Sequence, residues 1–199
     1  MRINPVINQL KERCPDFKGR VAGGLDWDPV KGSSLLELPA AYVIPTGDGA
    51  DDPEQQNVIT QMVRDAIDVC VVLKNHDERG QQVADQVHLV RASLWRALVG
   101  FEPDADYGEL LYGGGSLLLI DRDRVVYRFR FYADFQLGNL ALGAGSNPET
   151  WKERVLLGLP ALEGVDTAYD FIDPLVDHNV AQSGPDGRVE FKTREDLPQ

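Results

Sequence analysis

Side chains capable of chemistry fall in a few places along this chain. Asp48, Asp51, Asp52 and Glu54 crowd one short stretch. Calcium takes such oxygens, but their spacing does not follow the D-x-[DN]-x-[DN]-G pattern of a calcium loop, so the stretch reads as a solvated acidic loop. Gly113-Gly114-Gly115-Ser116 lacks the lysine of a phosphate loop. Leu118 stands where a nucleophile elbow needs its second glycine. The glycines therefore predict a bulge or bend at the start of a strand. His76, His88 and His178 are the only histidines, and none is spaced with Cys14 or Cys70 as zinc ligands are. His76 reads as a turn residue, and His88 as a helix-surface or boundary residue. Nothing local marks a Ser/His/Asp arrangement. The expectation is no catalytic residue, no cofactor and no metal site.

What remains is charge suited to contact. Asp121-Arg122-Asp123-Arg124 mixes both signs between two strand-like runs, which suits a reciprocal contact between identical subunits. Arg128 and Arg130 alternate with apolar residues on the strand that follows. On so acidic a chain they predict cross-strand or intersubunit pairing with carboxylates. The candidate interface residues are thus Asp48, Asp51, Asp52, Asp121, Arg122, Asp123, Arg124, Arg128 and Arg130.

The elements that must carry these residues follow from periodicity. Ile3 to Cys14 predicts a helix, with Asn4 as its cap and Pro5 in the first position. Arg20 to Trp27 reads as a short strand, Asp28 to Ser34 as a loop, Ala40 to Ile44 as a strand ended by Pro45, and Thr46 to Glu54 as a loop. Val58 to Leu73 predicts a strand bent near Arg64. Ile67, Val69, Val71 and Leu73 make one face apolar, while Asp68, Cys70, Val72 and Lys74 make the other mixed. A strand of that kind belongs in a sheet with helices on one face. Asn75 to Arg79 is a turn. Gly80 to Phe101 predicts an amphipathic helix with Val83, Val87, Val90, Leu94 and Leu98 inward, Trp95 at the flank and Gly100 as its C-terminal cap. Leu110 to Ile120 and Val125 to Phe135 predict a hairpin. Beyond Gln136 come a glycine-rich stretch, a short helix over Glu149 to Leu157, and a small hairpin turning at Pro185-Asp186-Gly187. The fold class is α+β: a mixed or mainly antiparallel sheet with helices packed on one face, plus a C-terminal extension. Residues 1–136 form the core domain and 137–199 the arm and extension.

Composition narrows the function. At 199 residues the chain can bury a real core. A net charge of −12 opposes binding to nucleic acid by phosphate neutralisation. Two cysteines make no disulfide framework, and a reducing compartment fits them. MRINPVINQL has no apolar run of the kind a secretory signal carries. No stretch approaches the roughly 20 apolar residues that cross a bilayer, so no membrane partner is expected.

The run from Val69 to Phe135 resembles the tail terminator, or tail completion, proteins of tailed bacteriophages. It carries a V-C-V-V-L-K-N strand (Val69 to Asn75), a D-x-R-G turn (Asp77 to Gly80), a helix closing as L-x-x-A-L-x-G-F-x-P (Leu94 to Pro103), and an aromatic-rich last strand (Val125 to Phe135). Ala40 to Pro45 and the opening helix also fit, so the resemblance spans residues 1 to about 136. It implies a structural virion protein without enzymatic activity, assembled in the host cytoplasm. Six copies would form a homohexameric ring that caps the tail tube, ends its polymerisation and meets the head–tail connector or neck. The expected partners are the chain itself, the tail tube protein and the connector or neck protein, with genomic DNA passing through the lumen without specific binding. Two readings compete. One is another neck or tail-tube component of the virion. The other is a small enzyme or ligand-binding domain, which would need a closed pocket lined by His76, Asp68 or the Gly113–Gly115 bend.

Overall fold

The structure, a computed structural model, describes residues 1–25, 28, 37–53, 59–75, 81–138, 147–160, 163–170, 189 and 191–197. The chain divides into two compact units, Met1–Arg154 and Val155–Gln199. The expected readings of Trp27, most of the loop after it, Glu54, His76 and the turn around it, Gly80, residues 139–146, His178 and the Pro185-Asp186-Gly187 turn lie outside the described residues.

The first unit is built on one sheet of five strands: β1 (Val21–Gly23), β2 (Ala40–Ala50), β3 (Gln61–Lys74), β4 (Leu111–Ile120) and β5 (Arg124–Leu137). Their spatial order is β1-β2-β3-β5-β4. β1 lies parallel to β2 and every other pairing is antiparallel. Two helices, α1 (Ile3–Arg13) and α2 (Gln81–Leu98), complete the α+β layer arrangement. The alternation read from the strands decides which face they cover. Ile67, Val69, Val71 and Leu73 of β3 lie opposite Phe131, Phe129, Tyr127 and Val125 of β5. Seven of these residues join Val6, Ile7 and Leu10 of α1 and Val83, Val90, Leu94 and Leu98 of α2 in one apolar cluster, and Tyr127 packs against it partly buried. Val87 packs against that cluster partly buried, and Ala97 takes a buried place beside it.

Several boundaries differ from expectation for identifiable reasons. Helix α1 starts at Ile3 with Arg2 as its cap residue, so Asn4 does not cap it. Pro5 still sits in the first turn, where backbone N–H groups have no intrahelical acceptor. Strand β2 does not stop at Pro45 but continues to Ala50, pairing Gly47, Asp48, Gly49 and Ala50 with residues 63–66 of β3. The register shifts between Pro45 and Gly47, and a bulge near a sheet edge tolerates a residue that cannot donate. The acidic loop is therefore largely strand. At the other end of α2, Gly100 has φ +85°, as its capping place requires, and its N–H donates to the Leu110 carbonyl at 3.0 Å.

Strand β5 ends at Leu137, and the chain just after it stays tied to this unit. The Gly138 N–H donates to Glu149 Oε2 at 2.8 Å. Helix α3 (Trp151–Leu157) opens with a reciprocal cap: the Glu153 N–H donates to Thr150 Oγ1, while Glu153 Oε2 accepts from the Thr150 and Glu149 N–H groups. The T-x-x-E spacing of that cap is visible in the sequence.

In the second unit, β6 (Gly164–Tyr169) pairs antiparallel with β7 (Phe191–Asp196), and every residue of β7 is exposed.

Candidate interaction surfaces

The predicted interface residues fall into three places on the sheet. The first is the end where β2 meets β3. Asp48, Asp51 and Asp52 are exposed there, and no described side chain pairs with any of them. The backbone beneath them is ordered by pairing: the Asp51 N–H donates to the Met62 carbonyl at 3.0 Å, and Gln61 Nε2 donates to the Asp51 carbonyl at 2.9 Å. An open cleft of about 600 Å³ runs beside them, with Arg64, Arg130 and Asp134 also on its walls.

The second place is the β4–β5 turn at the opposite end of β3. Lys74 pairs with Arg124, whereas Gln61 pairs with Leu137. The 14 residues of β3 therefore separate the two ends, by roughly 45 Å at the usual rise of a strand. Within the turn, Asp121 and Arg124 serve each other. Asp121 Oδ1 accepts from the N–H groups of Asp123 (2.9 Å) and Arg124 (2.8 Å), and Oδ2 accepts from Arg124 Nε (3.1 Å). These donors, the Asp123 N–H first, hold the Asp121 carboxyl below the usual carboxylate range. Asn75 clamps the turn to the end of β3 through the carbonyls of Asp121 and Asp123. Arg122 and Asp123 are left with exposed side chains free of any described partner.

The third place is the centre of the face turned away from the helices. Arg130 donates to both oxygens of Asp68, at 2.8 and 3.1 Å, and Arg128 lies 3.6 Å from the same carboxylate. Asp68 is 4% exposed. The expected pairing of Arg128 and Arg130 is thus made across strands, within the chain. One carboxylate serves two guanidiniums, and burial here is repaid by charge-assisted bonds. Beside it Arg64 donates twice to Asp134 and stacks 4.5 Å above the Tyr132 ring. The same hydrogen bonds hold the Asp134 carboxyl low.

The glycine run is a bulge, as its composition predicts. The register shifts between Tyr112 and Gly114, and Gly114 has φ +121°. Cβ atoms on Gly113 and Gly115 would press on the Arg130 and Tyr127 side chains.

Periodicity alone does not reveal a further surface, the flank where α2 overhangs β4. Strand β4 is the last of the sheet and carries neither charge nor proline, and Leu111, Leu117 and Ile120 are exposed on it. Trp95 meets Tyr112 edge-on at 5.2 Å, and the Arg91 guanidinium lies 5.0 Å over Trp95. Arg91 touches His88 at 2.8 Å, but its buried Nε has no acceptor and no described carboxylate pairs with it. The one available signal was the four-residue spacing of Arg91 and Trp95, which places them side by side on a helix.

Cys14 and Cys70 are both free and buried. Burial pushes the Cys14 thiol up to about 11, helped by the Asp16 carboxylate, and the Cys70 thiol up to about 12, helped by Asp68. Among the described residues no group of three or more His, Cys, Asp or Glu could hold a metal ion. No helix among them is long and apolar enough to cross a membrane.

Comparison with known proteins gives one family. The model described as phage tail terminator protein matches residues 1–141. No curated protein sequence matches the chain. Among solved structures, a chain in one described as "Virion of native gene transfer agent (GTA) particle" is similar at 15% identity and a TM-score of 0.39, over 66% of this chain and 91% of that one.

Proposed function

This chain belongs to the phage tail terminator family, a structural family of the bacteriophage virion tail, and on that premise we propose that it assembles as a homohexameric ring on the end of the tail tube. The ring ends tube growth and presents its far side to the head–tail connector or neck. The observation that carries this reading is the separation of the free charges. Asp48, Asp51 and Asp52 lie at one end of the sheet, and Arg122 and Asp123 at the other. A single contact cannot engage both ends. A ring element needs at least two contacts, one with its neighbour in the ring and one with a partner along the axis. If the neighbour contact joins two different surfaces, it closes into a ring when the rotation allows and stops there.

The net charge of −12 supports a lumen through which DNA slides without adhering. We read residues 1–136 as the ring-forming core and 137–199 as an arm that reaches a virion neighbour, with assembly in the host cytoplasm. The chain does its work by shape and contact. The Asp68 carboxylate, which a ligand-binding site would have used, is occupied by Arg128 and Arg130.

Mixing purified protein with polymerising tail-tube subunits of the same virion tests the proposal by electron microscopy. Tubes should become shorter and carry extra density at one end. Tubes of unchanged length with bare ends would overturn it. Long tubes formed by this protein alone would make it a tube component instead.

A further inference from the structure

Resting on the ring reading, we propose that the contact between neighbouring copies seats the acidic β2–β3 end of one copy on the α2–β4 flank of the next. Among the described residues, each surface is missing the ion-pair partner that the other supplies. At the flank, no described carboxylate pairs with Arg91, whose guanidinium meets only His88 and the Trp95 ring. At the β2–β3 end, Asp48 and Asp51 make no ion pair with a described side chain, and the nearest guanidinium, Arg64, is already bound to Asp134. A guanidinium and carboxylates brought together at a partly desolvated contact attract strongly and fix register.

The flank also has the composition of an interface centre. Trp95 meets both Tyr112 and Arg91, and farther along β4 Leu117 and Ile120 are 52% and 50% exposed. Tryptophan, tyrosine and arginine dominate binding energy at protein contacts.

The edges of the sheet point the same way. Strand β4 exposes the outer edge of an uncharged, proline-free strand, and such an edge is covered in the working assembly or invites uncontrolled pairing. The opposite edge is guarded. Strand β1 is three residues long, and beyond it β2 carries Pro45, a bulge and Asp48. Two unguarded edges would allow open-ended stacking of sheets. One guarded and one open edge make the contact directional, from the acidic end of one copy to the flank of the next, which is the heterologous kind that closes a ring.

Charge reversal and cross-linking in the full chain test the inference. Arg91→Glu alone, and Asp48→Lys with Asp51→Lys, should each lower the fraction of capped tubes about tenfold or more. Combining all three in one chain should restore capping. Thermal melts check that each variant is folded, and all three positions lie outside the apolar cluster. A second chain carrying Asp51→Cys and Leu117→Cys, oxidised on tubes, should give a ladder of disulfide-linked copies, with Cys14 and Cys70 buried and silent. Capping by the wild type with no ladder, together with reversal variants that cap normally, would overturn this contact and leave the ring standing. Lost capping by Arg91→Glu with no ladder and no rescue would assign the flank to the tube subunit and equally overturn it. A wild type that leaves tubes bare would remove both the ring and this contact.

Discussion

Asp68 sits at the centre of a sheet face with two arginines around it, and its removal measures what that arrangement contributes. Arg128 and Arg130 are partly exposed and can turn to water once the carboxylate is gone. The loss is then that of charge-assisted bonds, not of a stranded buried charge. Asp68→Ala should lower stability by about 2 kcal/mol in urea unfolding. Asp121 and Asp134 predict an acid response. Hydrogen bonds, from the turn backbone to Asp121 and from Arg64 to Asp134, hold their folded-state carboxyls below the usual carboxylate range. Each contributes stability that is present above pH ~4 and lost as pH falls through the lowered value. The wild type should therefore lose more melting temperature between pH 4 and pH 2 than a variant with Asp121→Asn and Asp134→Asn. An equal loss in both would show that other groups govern acid unfolding. The raised thiols of Cys14 and Cys70 make a separate prediction: a disulfide reagent at pH 8 should label neither until denaturant is added.

Elements were legible where a single periodicity ran without interruption. The inward faces of α2, β3 and β5 are those that Val83, Leu94, Ile67 and Phe129 announce, and burial follows the pattern closely. Leu94→Ala should accordingly cost about 3 kcal/mol. Leu89→Ala on the same helix should change little, because Leu89 is 65% exposed. Local signals misled where tertiary pairing overrode them. Thr46 to Ala50 reads as a loop from its glycines and aspartates, yet pairing with β3 makes it strand, since a bulge absorbs Pro45. Asn4 reads as a cap, but the cap position falls two residues earlier, at Arg2. The end of β5 was legible in the glycine that follows it, but not the reason for that glycine. A Cβ on Gly138 would lie 2.0 Å from the Ile59 carbonyl oxygen, and its φ is +87°. Gly138→Ala should destabilise by roughly 3 kcal/mol or more, read by thermal or urea unfolding.

At the scale of the molecule, the two ends of the sheet should be separable by experiment. Reversing the turn charges with Arg122→Glu and Asp123→Lys should weaken attachment along the virion axis, scored as head-joined tails. It should leave the Asp51–Leu117 cross-link ladder between copies intact. If both readouts fall together, the two ends do not have separate contacts. The sequence by itself determined the class of elements, the faces they bury, the lack of a catalytic motif and the family, because each of these rests on neighbours along the chain. Only the tertiary structure decided which charges are spent and which remain. Asp68 meets Arg130 across 62 positions of sequence, and Asp134 meets Arg64 across 70. Such pairings arise from strand order and register, which no local pattern encodes. The same order placed the acidic aspartates and the Arg122 turn at opposite ends of one strand, and so distinguished two contacts where the residue types alone suggested one.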